Sequence, residues 1–205
     1  MTGFKQIFSF SCMLSLTMGC QKVDNQNQGF ISLSPAITET IFALQVQDQL
    51  IGRSDYCLYP EDAKSLPSFG TALTPNWEQI VASESQGIFT DYSLRSSTET
   101  LTDVMQIHQL PWLSAEDIQH SIIQLGIILQ VQEKAAELEQ AFQKALQPQN
   151  TVHSANVLMI MMGSEIEKGQ IWYIRQDSIH GKALQAAGYN NAAPDTLNTP
   201  NMSAE

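Results

Sequence analysis

The side chains most often recruited to metal binding or proton transfer are dispersed in this sequence. His108, His120, His153 and His180 show no pair four residues apart, the spacing that sets two imidazoles on one helical face around a metal. Cys-x-x-Cys, a phosphate-cradling glycine loop and a Gly-x-Ser-x-Gly elbow are all missing from the chain. Ser34 and Asp55 have the types of a nucleophile and an acid, but no histidine is assigned near them, and helix capping accounts better for the serine. Met159, Met161 and Met162 lie in an apolar run with strand spacing, which suits a core better than a thioether metal site. The chain therefore reads as a binder, with no catalytic residues and no resident cofactor.

Polar and aromatic residues gather at three points that suit binding. Ser34-Pro35, Asp55-Tyr56 and Asp91-Tyr92 each follow a short run that reads as a strand. In open parallel sheets, ligands sit beyond the carboxyl ends of the strands, where helix N-termini offer free N–H groups to anionic groups. These six residues are the candidate ligand contacts of the first half of the chain.

The elements that must position them follow from spacing. Residues 30–33 form an apolar strand; Ser34 then caps a helix with Pro35 at its first position, and Ile37, Ile41 and Leu44 supply its buried stripe. Residues 50–53 complete a strand-helix-strand unit, which favours parallel pairing. Tyr59-Pro60, Leu66-Pro67 and Phe69-Gly70 mark loops, and Asn76 caps a helix over 77–83 with Ile80 and Val81 facing inward. Residues 87–90 and 110–113 are the third and fourth strands, with Pro111 placing the last at an edge.

Ser114 and Asp117 have the spacing of a capping box. Behind them Ile118, Ile122, Leu125 and Leu129, then Ala135, Leu138, Phe142 and Leu146, give a long helical connector that ends before Pro148. The second region opens with a buried-strand pattern at 157–162, a strand at 171–174 and a helix at 178–187 stopped by Gly188. Residues 198–205 read as a loop and the start of a further helix, with Asn201 or Ser203 as its cap.

Composition narrows the function classes. The 205 residues are 43% hydrophobic and 15% charged, as in an ordinary folded protein. A net charge of −11 repels phosphate backbones and anionic membranes alike. Lys5 followed by the apolar run 7–16 is too short to span a bilayer and reads as an export signal. Residues 21–28 are a Gln- and Asn-rich tether. Cys57 reads as a small buried filler.

Four segments carry a family resemblance. Residues 31–40 (ISLSPAITET), 51–60 (IGRSDYCLYP), 75–80 (PNWEQI) and 178–191 (SIHGKALQAAGYNN) resemble, in order, the Fe/cobalamin-type periplasmic binding proteins of ABC importers. The cobalamin-binding subgroup is the nearest by eye. Thr17-Met18-Gly19-Cys20 resembles a lipobox, which implies lipidation of Cys20; a plain secretory signal is the alternative. The resemblance implies an α/β chain with two Rossmann-like lobes of parallel sheet, joined by a long backbone helix.

The expected division is 1–20 signal, 21–28 tether, 29–113 first lobe, 114–147 connecting helices and 152–205 second lobe. That second lobe is expected to be incomplete, because the chain stops where the family adds further elements. The implied ligand is cobalamin, haem or a ferric siderophore, held between the lobes and delivered to the importer's membrane subunits. Tyr56 matches a cleft tyrosine, Trp172 an aromatic position of the second lobe, and Glu78 and Glu205 the acidic knobs that dock on the importer. Ala72 and Thr199 stand where cobalamin binders carry tryptophan. The alternative is a truncated, ligand-free lipoprotein that acts as scaffold or sensor.

Overall fold

The computed structural model describes residues 29–91, 105–148, 153–161, 170–194 and 201–203. The expectations for the signal, the tether, Cys20, Tyr92 and Glu205 fall outside these residues.

Strand β1 (Phe30–Ser32) runs into Ser34, which caps α1 (Pro35–Ala43) by accepting the Ile37 N–H at 3.4 Å. Pro35, having no N–H to leave unpaired, fits the first helical position. After α1 come β2 (Leu50–Arg53), α2 (Trp77–Ala82) capped by Asn76, β3 (Gly87–Thr90) and β4 (Gln106–Gln109). These four strands form one sheet in the order β2-β1-β3-β4, every pair parallel.

Both faces of this sheet are covered. Phe30 and Phe89 point into one apolar cluster, and their neighbours Ile31 and Ile88 into another on the opposite face, as the period of two requires. The Phe30 and Phe89 rings meet at 4.8 Å, with the His108 ring of β4 5.3 Å from Phe89. Each such side chain taken fully out of water contributes about 1.5–3 kcal/mol.

Two expectations need correction here. The fourth strand is β4 at Gln106–Gln109, not 110–113. Leu110 still donates to the Thr90 carbonyl at 2.8 Å, but Pro111 has no N–H and ends the ladder. Ile80 is buried as expected, whereas Val81, one position on, turns to solvent at 40% exposure.

The connector is helical in two lengths, α3 (Ala115–Ile128) and α4 (Gln132–Ala145). Ser114 and Asp117 make the expected capping box, with both reciprocal bonds at 3.0 Å. Gln130 takes a left-handed conformation (φ 59°) at the break. The helices then fold back on one another, so that Leu138 and Phe142 lie against the cluster that holds Ile118 and Ile122. A side chain at Gly126 would collide with Ala135, so the close approach of α4 depends on that glycine.

The second region contains β5 (Asn156–Val157), β6 (Ile160–Met161), β7 (Gln170–Tyr173), α5 (Ile179–Ala186), β8 (Asn190–Asn191) and β9 (Asn201–Ser203). Among the described residues of this region, the β5–β8 pair is parallel, whereas β6, β7 and β9 form a separate antiparallel sheet. Ser178 caps α5, and Gly188 (φ 85°) follows its end.

The single buried strand expected over 157–162 is instead divided between the two sheets, with Leu158, Ile160 and Met161 exposed. The helix expected to start at Asn201 or Ser203 is strand β9, paired with β7, because an open strand edge outweighs a local capping signal. A bridge between Ser114 and Ser178 ties the start of α3 to the start of α5.

Candidate ligand-binding site

Because β1, β2 and β3 are parallel, their carboxyl ends lie along one edge, and the residues that follow them converge there. Ser34, fully buried, donates its hydroxyl to Asp91 Oδ2 at 2.9 Å. The partner of Ser34 is thus Asp91 and not Asp55. Asp55 lies exposed, accepting a hydrogen bond from the Ser68 hydroxyl. Its neighbour Tyr56 is 68% exposed.

Beneath this edge lies a small buried polar cluster. The Thr38 hydroxyl is 2.8 Å from Ser32 Oγ and 2.9 Å from the Ser34 carbonyl oxygen. Cys57, free and buried, sits 3.2 Å from Ser54 Oγ, which also accepts the Tyr56 N–H at 3.3 Å. The cysteine is the buried filler expected, and its contacts hold the Asp55–Tyr56 turn against the end of β1.

These residues enclose a recess of about 310 Å³ lined by Leu33, Pro35, Ser54, Tyr56, Thr71, Ala72, Leu73 and Asp91. Four of the candidates (Ser34 beneath, with Pro35, Tyr56 and Asp91 in the wall) are brought together. Thr71, Leu73 and Leu33 were not anticipated. The signal was present at Phe69-Gly70: Gly70 adopts φ 87°, where a side chain would strike the Thr74 carbonyl, and this tight turn throws 71–73 over the strand ends.

Trp172 is not part of this recess. It is half-buried on β7, while its neighbour Tyr173 points to the other face of that sheet. Tyr173 helps line a second cavity, of about 540 Å³, with Leu113, Ser114, Asp117, Met161, Ile174, Arg175, Asp177 and Ser178. Arg175 and Asp177 form an ion pair there, and that hydrogen-bonded carboxylate raises the arginine's pKa above its ordinary value. Met161, expected in a core, lines this cavity at 46% exposure.

Glu78 is exposed in the first turn of α2, where the helix dipole favours a carboxylate. Burial lowers the pKa of His108, whose Nε2 has no partner. Among the described residues, no group of three His, Cys, Asp or Glu is placed to hold a metal, and no helix is long and apolar enough to cross a membrane.

The sequence matches the family model for periplasmic binding proteins over residues 31–202. This chain belongs to the periplasmic binding protein family. Solved structures agree on the fold. The periplasmic haem-binding protein HutB of Vibrio cholerae superposes with a TM-score of 0.72 at 16% identity, covering 87% of this chain and 70% of that one. The periplasmic vitamin B12-binding protein BtuF of Vibrio cholerae gives 0.64 at 19% identity, with 87% and 70% covered.

S. aureus IsdE, solved with haem, gives 0.67 at 19% identity over 87% and 69%. The fold is therefore the two-lobe α/β fold of these binding proteins, and the family's role is to bind a substrate rather than transform it. No curated protein sequence matches this one.

Proposed function

We propose that this protein captures a metal chelate, such as cobalamin, haem or a ferric siderophore, and delivers it to the membrane subunits of an ABC importer. The observation that carries the reading is the recess at the carboxyl edge of the parallel sheet, where three strand-end loops converge on Tyr56 and the Ser34–Asp91 pair. It is the position at which open α/β sheets bind ligands. Haem- and vitamin B12-binding proteins among the solved structures of this fold support the class of solute.

In this reading Tyr56 lays an aromatic face on the chelate while its hydroxyl stays in water, a use for a ring that is 68% exposed. Pro35 and Asp91 line the wall beside it, and Asp55 fixes the turn that presents it. Tyr92, next to Asp91 in the sequence, belongs to the proposed ligand set on that position alone. Trp172 is left out of the ligand set because it does not line the recess. Glu78, exposed on α2, and Glu205 would meet arginines of the importer, setting encounter rate and orientation more than affinity. Export by the N-terminal signal and lipidation at Cys20 would hold the protein at the membrane; a Cys20→Ser variant that stayed anchored would remove that part.

Calorimetric titration with cobalamin, haemin and a ferric hydroxamate tests the reading. At least one should bind, and Tyr56→Ala should weaken it about 10-fold or more, the loss of one large aromatic contact. A Tyr56→Ala protein that bound unchanged would remove Tyr56 from the site. Failure of all three chelates to bind would favour a scaffold or sensor without a ligand.

A further inference from the structure

We propose that a groove between α1 and the folded-back pair α3 and α4 binds a small amphiphilic cation, an apolar body that carries an ammonium head. The groove has a volume of about 450 Å³. It shares no lining residue with the strand-end recess, so it is a separate site and does not depend on the solute-capture reading.

The groove follows from the side chains that α1 presents on two faces. Ile37, Ile41 and Leu44 enter the core. Ala36, Thr40 and Ala43 line the same groove as Leu138 and Phe142 of α4 and lack the bulk to close it. Ile122 of α3 is buried, whereas Trp112, Leu138 and Phe142 stay only partly buried. Apolar atoms that face such a gap lack neighbours on one side, and an apolar ligand restores those contacts. Small-molecule sites of about 300–1,000 Å³ have this make-up, a mostly apolar lining with a few polar groups.

Those polar groups set the charge of the head. Among the described residues that line the groove, Glu39 is the one charged side chain. It is exposed and has no hydrogen-bond or ion-pair partner among the described residues. The Thr40 hydroxyl already donates to the Ala36 carbonyl at 2.8 Å. Tyr59, 68% exposed, lines the groove with Trp112 and Phe142, and the faces of such rings attract ammonium groups. A lining with one carboxylate, three aromatic rings and no basic side chain favours a cation and repels an anion.

Calorimetric titration of the purified protein with octyltrimethylammonium, octanesulfonate and 1-octanol, all below micelle-forming concentrations, compares three heads on one chain. The ammonium should bind at one site per protein, and the sulfonate about 5-fold or more weakly. Glu39→Gln should weaken the ammonium about 2- to 5-fold, the effect of an exposed charge pair, and leave octanol unchanged. Ala43→Phe, with folding checked by thermal melting, should fill the groove and block the ammonium. A chelate held in the strand-end recess should keep its affinity in that variant.

No binding of the ammonium, or a sulfonate that bound as tightly, would overturn the inference. Unchanged ammonium binding in Glu39→Gln or in a folded Ala43→Phe protein would do the same. A folded Ala43→Phe protein that also lost chelate affinity would overturn the separation of the two sites.

Discussion

The two sheet-bearing regions of the molecule are built on different terms. In the first, every strand of the four-stranded sheet is parallel, and the side chains of β1 and β3 enter apolar clusters on both faces. In the second, Tyr173 is the large side chain that is fully buried among the described residues, while Leu158, Ile160 and Met161 face solvent. The recess stands on the first region, on strand ends that cannot shift without disturbing two packed layers. Among the described residues, the side chains that line the recess come from the loops of this doubly covered sheet.

The sharpest way to break that comparison is to cut one side chain from each region. Phe89→Ala should cost about 3–5 kcal/mol in urea unfolding, as expected for a large buried ring. Met161→Ala, at 46% exposure, should stay within about 0.5 kcal/mol. Equal losses at the two positions would mean that the second region is packed as firmly as the first.

A smaller effect belongs to the join. Ser114 accepts the Asp117 N–H, and Asp117 returns a bond to the Ser114 N–H, so Ser114→Ala should cost about 0.5–2 kcal/mol. The loss should appear in the unfolding of the first region, because α3 packs into its core. An unfolding midpoint that did not move would show that the cap is replaced by water.

The smallest effect is carried by a proton. Burial lowers the His108 pKa below its ordinary value of 6.5. The unfolded chain then binds the proton more readily, so the stability His108 contributes is present above pH 6.5 and is lost as pH falls from there through the lowered value of the folded protein. The rings of Phe30 and Phe89 pack beside it and offer no charge to offset the proton. Melting temperatures from pH 7.5 to 5 should fall less steeply for His108→Phe than for the parent; parallel slopes would contradict the assignment.

Local rules made much of the first region legible. Ser34 and Pro35 marked the start of α1, Asn76 that of α2, and Ser114 with Asp117 that of α3, each by capping chemistry that acts within four residues. Ser178 and Gly188 bounded α5 in the same way. What escaped the sequence depends on partners distant along the chain. Strand β4 reads Gln-Ile-His-Gln and owes its place to the free edge of β3 rather than to an apolar pattern.

Residues 201–203 look like a helix start, yet they pair with β7. In the site, Ser34, Tyr56 and Asp91 were visible because they follow strands, but the bond between Ser34 and Asp91, 57 positions apart, was not. Nor was the placement of Trp172 away from the recess, since alternation along β7 depends on which face its sheet buries.

Hydrogen–deuterium exchange with and without a saturating chelate, cyanocobalamin or haemin, tests the central claim most directly. Residues 33–36, 54–57 and 70–73, which surround the recess, should slow on binding, while 158–161 and 173–178 at the second cavity should not change. Protection confined to the second cavity, with the strand-end loops unaffected, would contradict the claim that the carboxyl edge of the parallel sheet receives the solute.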